Sequence, residues 1–211
     1  FSFENEISLS LLFFASIFFI NEMILIPFQL YRNFIIEEKF GFNKMSFKTF
    51  FLDKIKSYFL VIIVGGLIIS ILLISIIYFS NNFWIYFWVI MSLFTVFINL
   101  FYTSLILPIF NKLKPLEDGS LKDKIYNYAK SVSFPLSNIF VIDGSKRSSK
   151  ANAFFSGLGK SKKIVLYDTL IKNHSEEELV SVLAHEVGHY KNNHILSNLI
   201  LSILFTGFML F

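Results

Sequence analysis

The chain alternates between long apolar runs and charged stretches. Four apolar runs stand out, at residues 7–31, 58–79, 83–110 and 195–211. A membrane-spanning helix needs about 20 consecutive apolar residues, so the first three runs are long enough to cross a bilayer and the fourth is typical of the start of another crossing. Only the polar turn Ser80-Asn81-Asn82 separates the second run from the third. The pattern therefore predicts a polytopic membrane protein.

The first run carries an ionisable residue, Glu22, between apolar neighbours, and Asn21 and Pro27 also interrupt it. A carboxylate at such a depth either faces the interior of a helix assembly or a water-filled space, or it lies near the end of a tilted, partly interfacial helix. The sequence favours neither alternative over the other.

The stretch after the third run has the composition of a small soluble domain. The segment Pro115–Gly119 predicts a turn that leads into a helix at about Ser120–Ser133. Three short apolar runs then predict the strands of a small sheet, at Ile139–Asp143, Ala151–Phe155 and Ile164–Asp168. The segment Gly157–Lys160 is interpreted as a hairpin turn and not as a phosphate loop, because the P-loop spacing and the following helix are missing.

The predicted fold class is a mainly α polytopic membrane protein with a small α+β domain. Residues 1–110 form the membrane region, with spans at 7–31, 58–79 and 83–110 and a loop at 32–57. Residues 111–211 form the second domain, with a sheet region at 135–170, a helix at 175–194 and the start of a further span at 195–211.

Composition and charge support this organisation. The chain is 55% hydrophobic and only 16% charged, whereas a soluble domain has about 25% charged residues. All 19 Lys and Arg lie in Arg32–Lys56 or in Lys112–Lys191. Two predicted spans separate these stretches, so both lie on one side of the membrane, and the positive-inside rule makes that side cytoplasmic.

The net charge of +4 is thus explained by topology, and nucleic-acid binding is not expected. The basic clusters Lys146-Arg147-Lys150 and Lys160-Lys162-Lys163 are interpreted as solvated turn residues rather than as contacts to anionic headgroups. The absence of cysteine excludes disulfides and thiolate zinc sites. The bias towards Ile, Phe, Lys and Asn points to an AT-rich, bacterial genome.

The stretch Ser175–His194 predicts a helix. Ser175 and Glu178 have the spacing of a capping box, and three glutamates, Glu176–Glu178, occupy the positive end of the helix dipole.

This helix contains H-E-x-x-H at His185, Glu186 and His189. Positions four apart differ by about 40° around a helix, so both imidazoles project from one face. The arrangement suits one Zn²⁺ per chain, with His185 and His189 as ligands and Glu186 as the general base that hands a proton to the leaving amine. Residues 111–211 are therefore predicted to be a small α+β cytoplasmic zinc-protease (metallopeptidase) domain that carries this H-E-x-x-H helix, with the zinc helix at 175–194. The competing interpretation is an ordinary amphipathic helix with surface histidines.

A catalytic zinc needs a third protein ligand, and the sequence does not supply an obvious one. His194 lies nine positions after His185, about 180° round a continuous helix. His174 precedes the helix and would need a loop bend to approach. The Glu176–Glu178 run is explained by helix capping. The third ligand is therefore expected beyond Phe211.

Several motifs in order resemble the type I CAAX prenyl proteases, integral-membrane zinc endopeptidases that process isoprenylated proteins. The motifs are Glu37–Lys44, Pro108–Lys112, Pro115–Gly119, Val141–Ser149, Asn152–Phe155, Ile164–Leu170 and Ala184–His189. The resemblance implies a barrel of seven membrane helices around a water-filled chamber, with the zinc site on its cytoplasmic side.

The resemblance also implies that the chain is a fragment, since it starts without methionine and ends at Phe211 inside an apolar run. The first two helices and everything after the start of the sixth would be missing, including the family's third zinc ligand, a glutamate, and its downstream histidine and arginine. In the family, the segment matching Asn152–Phe155 pairs with an extended substrate, which makes Asn152, Ala153 and Phe154 the expected substrate-binding residues. An ordinary edge strand is the alternative.

Three functions are compatible with these features. The first is cleavage near the C-terminus of lipidated (CAAX-type) or membrane-associated proteins, with the lipid between helices and the peptide at the zinc. The second is a zinc protease for membrane-protein quality control. The third, from another class, is a catalytically silent membrane scaffold. The expected location is the bacterial inner membrane, or the endoplasmic reticulum membrane in a eukaryote, with the site facing the cytoplasm.

Overall fold

The computed structural model describes residues 3–156 and 162–211. It is mainly helical, with one small mixed sheet. The chain divides into two compact units, one formed by Phe1–Met91 with Thr206–Phe211 and the other by Ser92–Phe205. The mainly α membrane fold with a small α+β part, predicted from the sequence, is confirmed.

The first unit is built from helices. They are α1 (Phe3–Tyr31), α2 (Glu37–Lys39), α3 (Phe47–Leu60), α4 (Gly66–Phe79) and the first part of α5 (Phe83–Leu105). The π-helical turns Arg32–Ile36 and Val61–Gly65 and the 3-10 turn Ser80–Asn82 connect them. Pro27 lies inside α1, so the residues that interrupt the first apolar run in the sequence do not interrupt its helix.

Among the described residues, two continuous helical runs are long and apolar enough to cross a membrane, Glu6–Lys39 and Phe47–Phe110. A third candidate crossing is present if two helices that meet at a 48° bend, Glu176–Lys191 and His194–Leu210, are counted as one span. The run from Phe47 is 64 residues long, which is enough for two crossings at about 20 residues each. It contains both predicted spans, 58–79 and 83–110. It begins eleven residues before the first of them, because much of the predicted loop 32–57 is helix α3.

The first unit turns its apolar side chains outward. Met23, Phe59 and Leu67 are more than half exposed. Glu22 instead points to α3, where its Oε2 lies 2.6 Å from the Nζ of Lys54 and accepts a hydrogen bond of 3.0 Å from the Tyr58 hydroxyl. Glu22 therefore faces the neighbouring helix α3, with a cation as its partner.

The second unit contains a four-stranded sheet. Its strands are β1 (Leu113–Pro115), β2 (Leu136–Ile142), β3 (Ala153–Ser156) and β4 (Lys162–Tyr167), in the order β1-β2-β4-β3. Strand β2 runs parallel to β4, and the other two pairs are antiparallel. The three predicted strands are confirmed with shifted bounds. Strand β1 was not predicted, because three residues that include a lysine and a proline show no apolar alternation.

Six of the described helices belong wholly or mostly to this unit: α5 from residue 92 onward, α6 (Leu107–Phe110), α7 (Ser120–Ser131), α8 (Asp168–Asn173), α9 (Glu176–Lys191) and α10 (His194–Leu210, up to residue 205). The predicted helix at Ser120–Ser133 is confirmed as α7, two residues shorter. Buried aliphatic side chains join the sheet to α7 and α9, among them Ile125, Ile164, Leu166 and Leu183, each 1% exposed. This core fixes where α9 sits on the sheet.

The structure corrects the interpretation of the basic clusters. Lys162 is not a solvated turn residue: it lies in β4 with 3% of its surface exposed, and its ammonium is 5.0 Å from the ring centroid of Tyr190. Burial lowers the pKa of this ammonium. Arg147 is half-buried and donates to the Phe110 carbonyl at 2.6 Å and to Asn111 Oδ1 at 2.9 Å. The predicted hairpin turn at 157–160 lies outside the described residues.

Candidate metal centre

Helix α9 begins as the sequence predicts. The Ser175 Oγ accepts a hydrogen bond of 3.3 Å from the Glu178 backbone N–H, and Glu178 Oε2 accepts one of 2.7 Å from the Ser175 backbone N–H. These two bonds form the capping box and satisfy two N–H groups that a helix start leaves without partners. The start of α9 is therefore set by its local sequence.

The two other glutamates of the first turn attach α9 to α7. The Nζ of Lys124 lies 2.8 Å from Glu176 Oε2 and 2.6 Å from Glu177 Oε1, and Ser120 also donates to Glu176. The hydrogen bonds to Glu176 and Glu177 raise the pKa of Lys124. Capping thus explains only Glu178 of the Glu176–Glu178 run, and the others make exposed ion pairs between helices.

The helix has two stripes with opposite roles. Leu179, Leu183 and Val187 recur every four residues and are buried against the core. His185 and His189 are exposed. Two positions along a helix correspond to about 200° of rotation, so the histidine stripe faces away from the apolar stripe. Packing of the leucines therefore holds both imidazoles on the open side of α9.

The two imidazoles converge. The Nε2 atoms of His185 and His189 lie 3.1 Å apart, and their ring centroids are separated by 4.7 Å. A tetrahedral zinc with Zn–N bonds of about 2.0–2.1 Å holds two nitrogens about 3.3–3.4 Å apart. The spacing of these donors fits one zinc ion. Glu186, the next residue after His185, is half-buried.

His194 does not lie where a continuous helix would place it. Helix α9 ends at Lys191, Asn193 has a φ of +54°, and α10 begins at His194 with a 48° change of direction. As a result His194 is not on the opposite side of a continuous helix: its Nδ1 lies 2.7 Å from the Nδ1 of His189. The Asn192-Asn193 pair was the signal for this break, because asparagine tolerates the left-handed conformation that ends many helices.

No third ligand joins the pair within the described part of the chain. Among residues 3–156 and 162–211, no group of three or more His, Asp or Glu side chains is arranged to hold a metal ion. His174 remains outside, since its Nδ1 lies 3.1 Å from the Leu170 carbonyl oxygen. His185 and His189 are therefore a two-donor set on one helix.

The predicted substrate segment forms an edge of the sheet. Strand β3 pairs with β4 on one side, and no other described strand pairs with its second side. The Asn152 carbonyl accepts a bond of 3.0 Å from the Tyr167 N–H. Because alternate residues of an antiparallel strand direct their backbone groups to the partner, Ala153 and Phe155 direct theirs to the open edge. Asn152 Oδ1 accepts the Ala153 N–H at 2.9 Å.

The side chains of this segment have different surroundings. Asn152 is exposed, whereas Ala153 is buried in the same core cluster as Leu183 of α9. Phe154 is half-buried and lines a cavity of about 320 Å³ together with residues of α5, β3 and α10: Ile98, Asn99, Tyr102, Phe155, Ser156 and Ile195. This cavity was not predicted from the sequence, where the i, i+4 spacing of Ile98 and Tyr102 places two of its lining residues on one face of α5.

Two family models together match almost the whole chain. The model described as "CAAX prenyl protease N-terminal, five membrane helices" matches residues 1–112. The model described as "Peptidase family M48" matches residues 115–211 and so covers the H-E-x-x-H helix.

Individual proteins are similar over the same length. A probable CAAX prenyl protease 1 of Schizosaccharomyces pombe is 42% identical over 100% of this chain and 44% of the relative. A CAAX prenyl protease 1 homolog of Arabidopsis thaliana is 43% identical over 90% of this chain and 45% of the relative. The crystal structure of S. mikatae Ste24p superposes with a TM-score of 0.90 at 42% identity, over 96% of this chain and 47% of that one. The chain thus spans about half the length of the relatives it matches.

Proposed function

The chain belongs to the CAAX prenyl protease family of M48 peptidases, and on that premise we propose that the full-length protein is a zinc metalloendopeptidase of the membrane. Its substrates would be lipidated, CAAX-type proteins or membrane-associated proteins, cut near the C-terminus. One observation carries this proposal. Two imidazoles on the open face of a capped helix place their Nε2 atoms 3.1 Å apart, next to a glutamate.

The metal that suits this pair is one zinc ion per chain, held by the Nε2 atoms of His185 and His189. When bound, zinc supplies a water of lowered pKa and polarises the scissile carbonyl. Glu186 serves as the general base: a carboxylate oxygen takes up a proton and delivers it to the leaving amine nitrogen. The third ligand is a glutamate beyond Phe211, as the family resemblance implies.

The substrate peptide would bind as an added strand on the open edge of β3. The Ala153 carbonyl and the N–H and C=O of Phe155 are directed to that edge, and a peptide backbone pairs with such groups whatever its side chains are. The Ala153 N–H is already satisfied by the Asn152 side chain, so an incoming peptide would have to displace that amide to use it. Asn152, Ala153 and Phe154 are accordingly the proposed substrate-binding residues.

The protein is an integral, multi-pass membrane protein, in keeping with the N-terminal family model. For its orientation we propose that the zinc faces the cytoplasm, because all basic residues lie in two stretches separated by two predicted spans. The relatives named above are eukaryotic, which favours the endoplasmic reticulum membrane over a bacterial inner membrane.

A peptidase assay with the full-length protein in liposomes tests the proposed function. The parent is expected to cleave a farnesylated CAAX peptide, and Glu186→Gln to lose about 10²–10⁴-fold in rate, the contribution of a positioned general base. Glu177→Gln, which changes an exposed carboxylate on the same helix, is the matched control and keeps the parental rate.

The competing functions predict different results in this assay. Cleavage of misfolded membrane proteins without turnover of the farnesylated peptide would replace the CAAX function with quality control. A zinc-loaded parent that cleaves neither substrate would point to a silent scaffold. Full activity of Glu186→Gln would remove Glu186 from its role as base.

A further inference from the structure

His189 lies between two other histidines and presents a different nitrogen to each. Its Nε2 is 3.1 Å from His185 Nε2, whereas its Nδ1 is 2.7 Å from His194 Nδ1. The rings of His189 and His194 meet edge to face, with centroids 4.9 Å apart at 61°. His194 therefore contacts the side of His189 that points away from the donor pair.

The chemistry of imidazole makes the 2.7 Å contact informative. Two ring nitrogens approach this closely when one carries a hydrogen and the other accepts it. A neutral imidazole has one N–H, so a hydrogen on His189 Nδ1 leaves the Nε2 lone pair available to a metal. Ligating histidines in metal sites characteristically donate their second N–H to an acceptor, most often a carboxylate, a backbone carbonyl or water, which fixes the ring and the tautomer.

We propose that His194 is a positioning residue for His189. Its Nδ1 accepts the hydrogen from His189 Nδ1 and holds the ring so that Nε2 faces His185. His194 is not itself a ligand in this arrangement, because the nitrogen it presents is directed at the far side of the His189 ring. The inference rests on the proposed function, since it concerns the zinc that His185 and His189 would hold.

The fold builds this contact through the break between α9 and α10. On a continuous helix His194 would lie about 140° round from His189 and about 7.5 Å along the axis, out of reach of its ring. The Asn192 N–H and Nδ2 instead close the helix on the Gly188 carbonyl at 3.1 and 2.9 Å, and the Asn193 N–H bonds to Tyr190. Asn193 then adopts the left-handed conformation, and the chain changes direction by 48°, which returns His194 to the open side of α9.

The test is the zinc affinity of the full-length protein, measured by competition with a chromogenic chelator. Removal of an acceptor that orients a metal ligand typically costs 10–100-fold in affinity, so His194→Ala and His194→Phe are expected to weaken zinc binding by about that factor. His194→Asn retains a side-chain acceptor and is expected to recover most of the loss. Asn198→Ala, an exposed change one turn further along α10, is the matched control with parental affinity.

Substitutions at Asn193 test the same contact by changing the backbone conformation that positions His194. Asn193→Val puts a β-branched residue at a φ of +54°, which strains the turn and displaces His194, so weaker zinc binding is expected. Asn193→Gly keeps the turn and the affinity. Thermal unfolding of the metal-free variants separates these effects from a general loss of structure.

The outcomes distinguish this inference from the proposed function. A parent that binds zinc, with His194→Ala and His194→Phe binding equally well, overturns the role of His194 alone. A parent that binds no zinc, or that binds it as tightly after His185→Ala, overturns the proposed metal site and this inference with it.

Discussion

The helical region (residues 3–79) and the sheet region (residues 107–191) place their apolar side chains in opposite ways. In the helical region Leu67 is 57% exposed, while the charged pair Glu22–Lys54 is shielded between helices. In the sheet region Leu166 is 1% exposed and ion pairs such as Lys124–Glu177 lie on the surface. Apolar side chains are thus exposed and charged ones shielded in the helical region, and the reverse holds in the sheet region. This is expected if lipid surrounds the first region and water the second.

The difference also explains where the candidate chemistry lies. Two histidines with exposed nitrogens need an aqueous surface, and the sheet region provides it by burying the leucine stripe of α9 beneath them. A polar group in the helical region is instead paired within the helices. The position of the H-E-x-x-H motif on α9, next to α10 and not inside a long apolar run, follows from this division.

The largest effect on stability is expected when one leucine in each region is replaced by alanine. Leu166→Ala removes a buried side chain of the sheet core and is expected to lower the unfolding free energy by about 2–5 kcal/mol. Leu67→Ala, on the exposed side of α4, is expected to change it by no more than about 0.5 kcal/mol. Denaturant titration of the detergent-solubilised protein measures both. Equal losses of unfolding free energy in the two variants would show that the two regions do not differ in how they bury leucine.

The charged pair of the helical region should give the next largest effect. Glu22→Leu leaves the Lys54 ammonium without its carboxylate, and a loss of about 1–3 kcal/mol is expected, below the figure for fully buried pairs because both side chains keep some exposure. The double variant Glu22→Leu/Lys54→Met should regain most of that stability. Thermal unfolding compares them, with the exposed Glu6→Gln as control. A stable Glu22→Leu would show that the pair contributes little.

The smallest effect concerns Lys162, the buried cation of the sheet region. Burial lowers its pKa below the ordinary 10.5, so the unfolded chain binds more protons than the folded one between those two values. The unfolding free energy of the parent should therefore rise with pH through that window, relative to Lys162→Met. Unfolding titrations at several pH values up to about 10.5 measure the difference. Parallel pH curves for the two proteins would contradict the shift.

The sequence predicted the features that depend on neighbouring residues. The capping box of Ser175 and Glu178 lies within one helical turn, and the apolar runs that became β2, β3 and β4 are each continuous in the sequence. The H-E-x-x-H spacing places two imidazoles on one helix face for the same reason. These features need no knowledge of the rest of the fold.

Features that depend on distant residues or on a single backbone angle were not predicted from the sequence. The partner of Glu22 is Lys54, 32 positions away, so the sequence left two alternatives open. The contact of His194 depends on the φ of Asn193. The sequence predicted a continuous helix through Asn193, which placed His194 on the side opposite His185. Lys162 was interpreted as solvated because nothing in the sequence indicates that β4 buries it.

The proposed chemistry depends on zinc bound by His185 and His189, and the zinc content of the purified full-length protein is the decisive measurement. Mass spectrometry should find one zinc ion per chain in the parent and in Glu186→Gln, because the glutamate is not a ligand, and little zinc in His185→Ala or His189→Ala. A parent without zinc, or a His185→Ala variant that retains it, would show that these two histidines do not form the metal site.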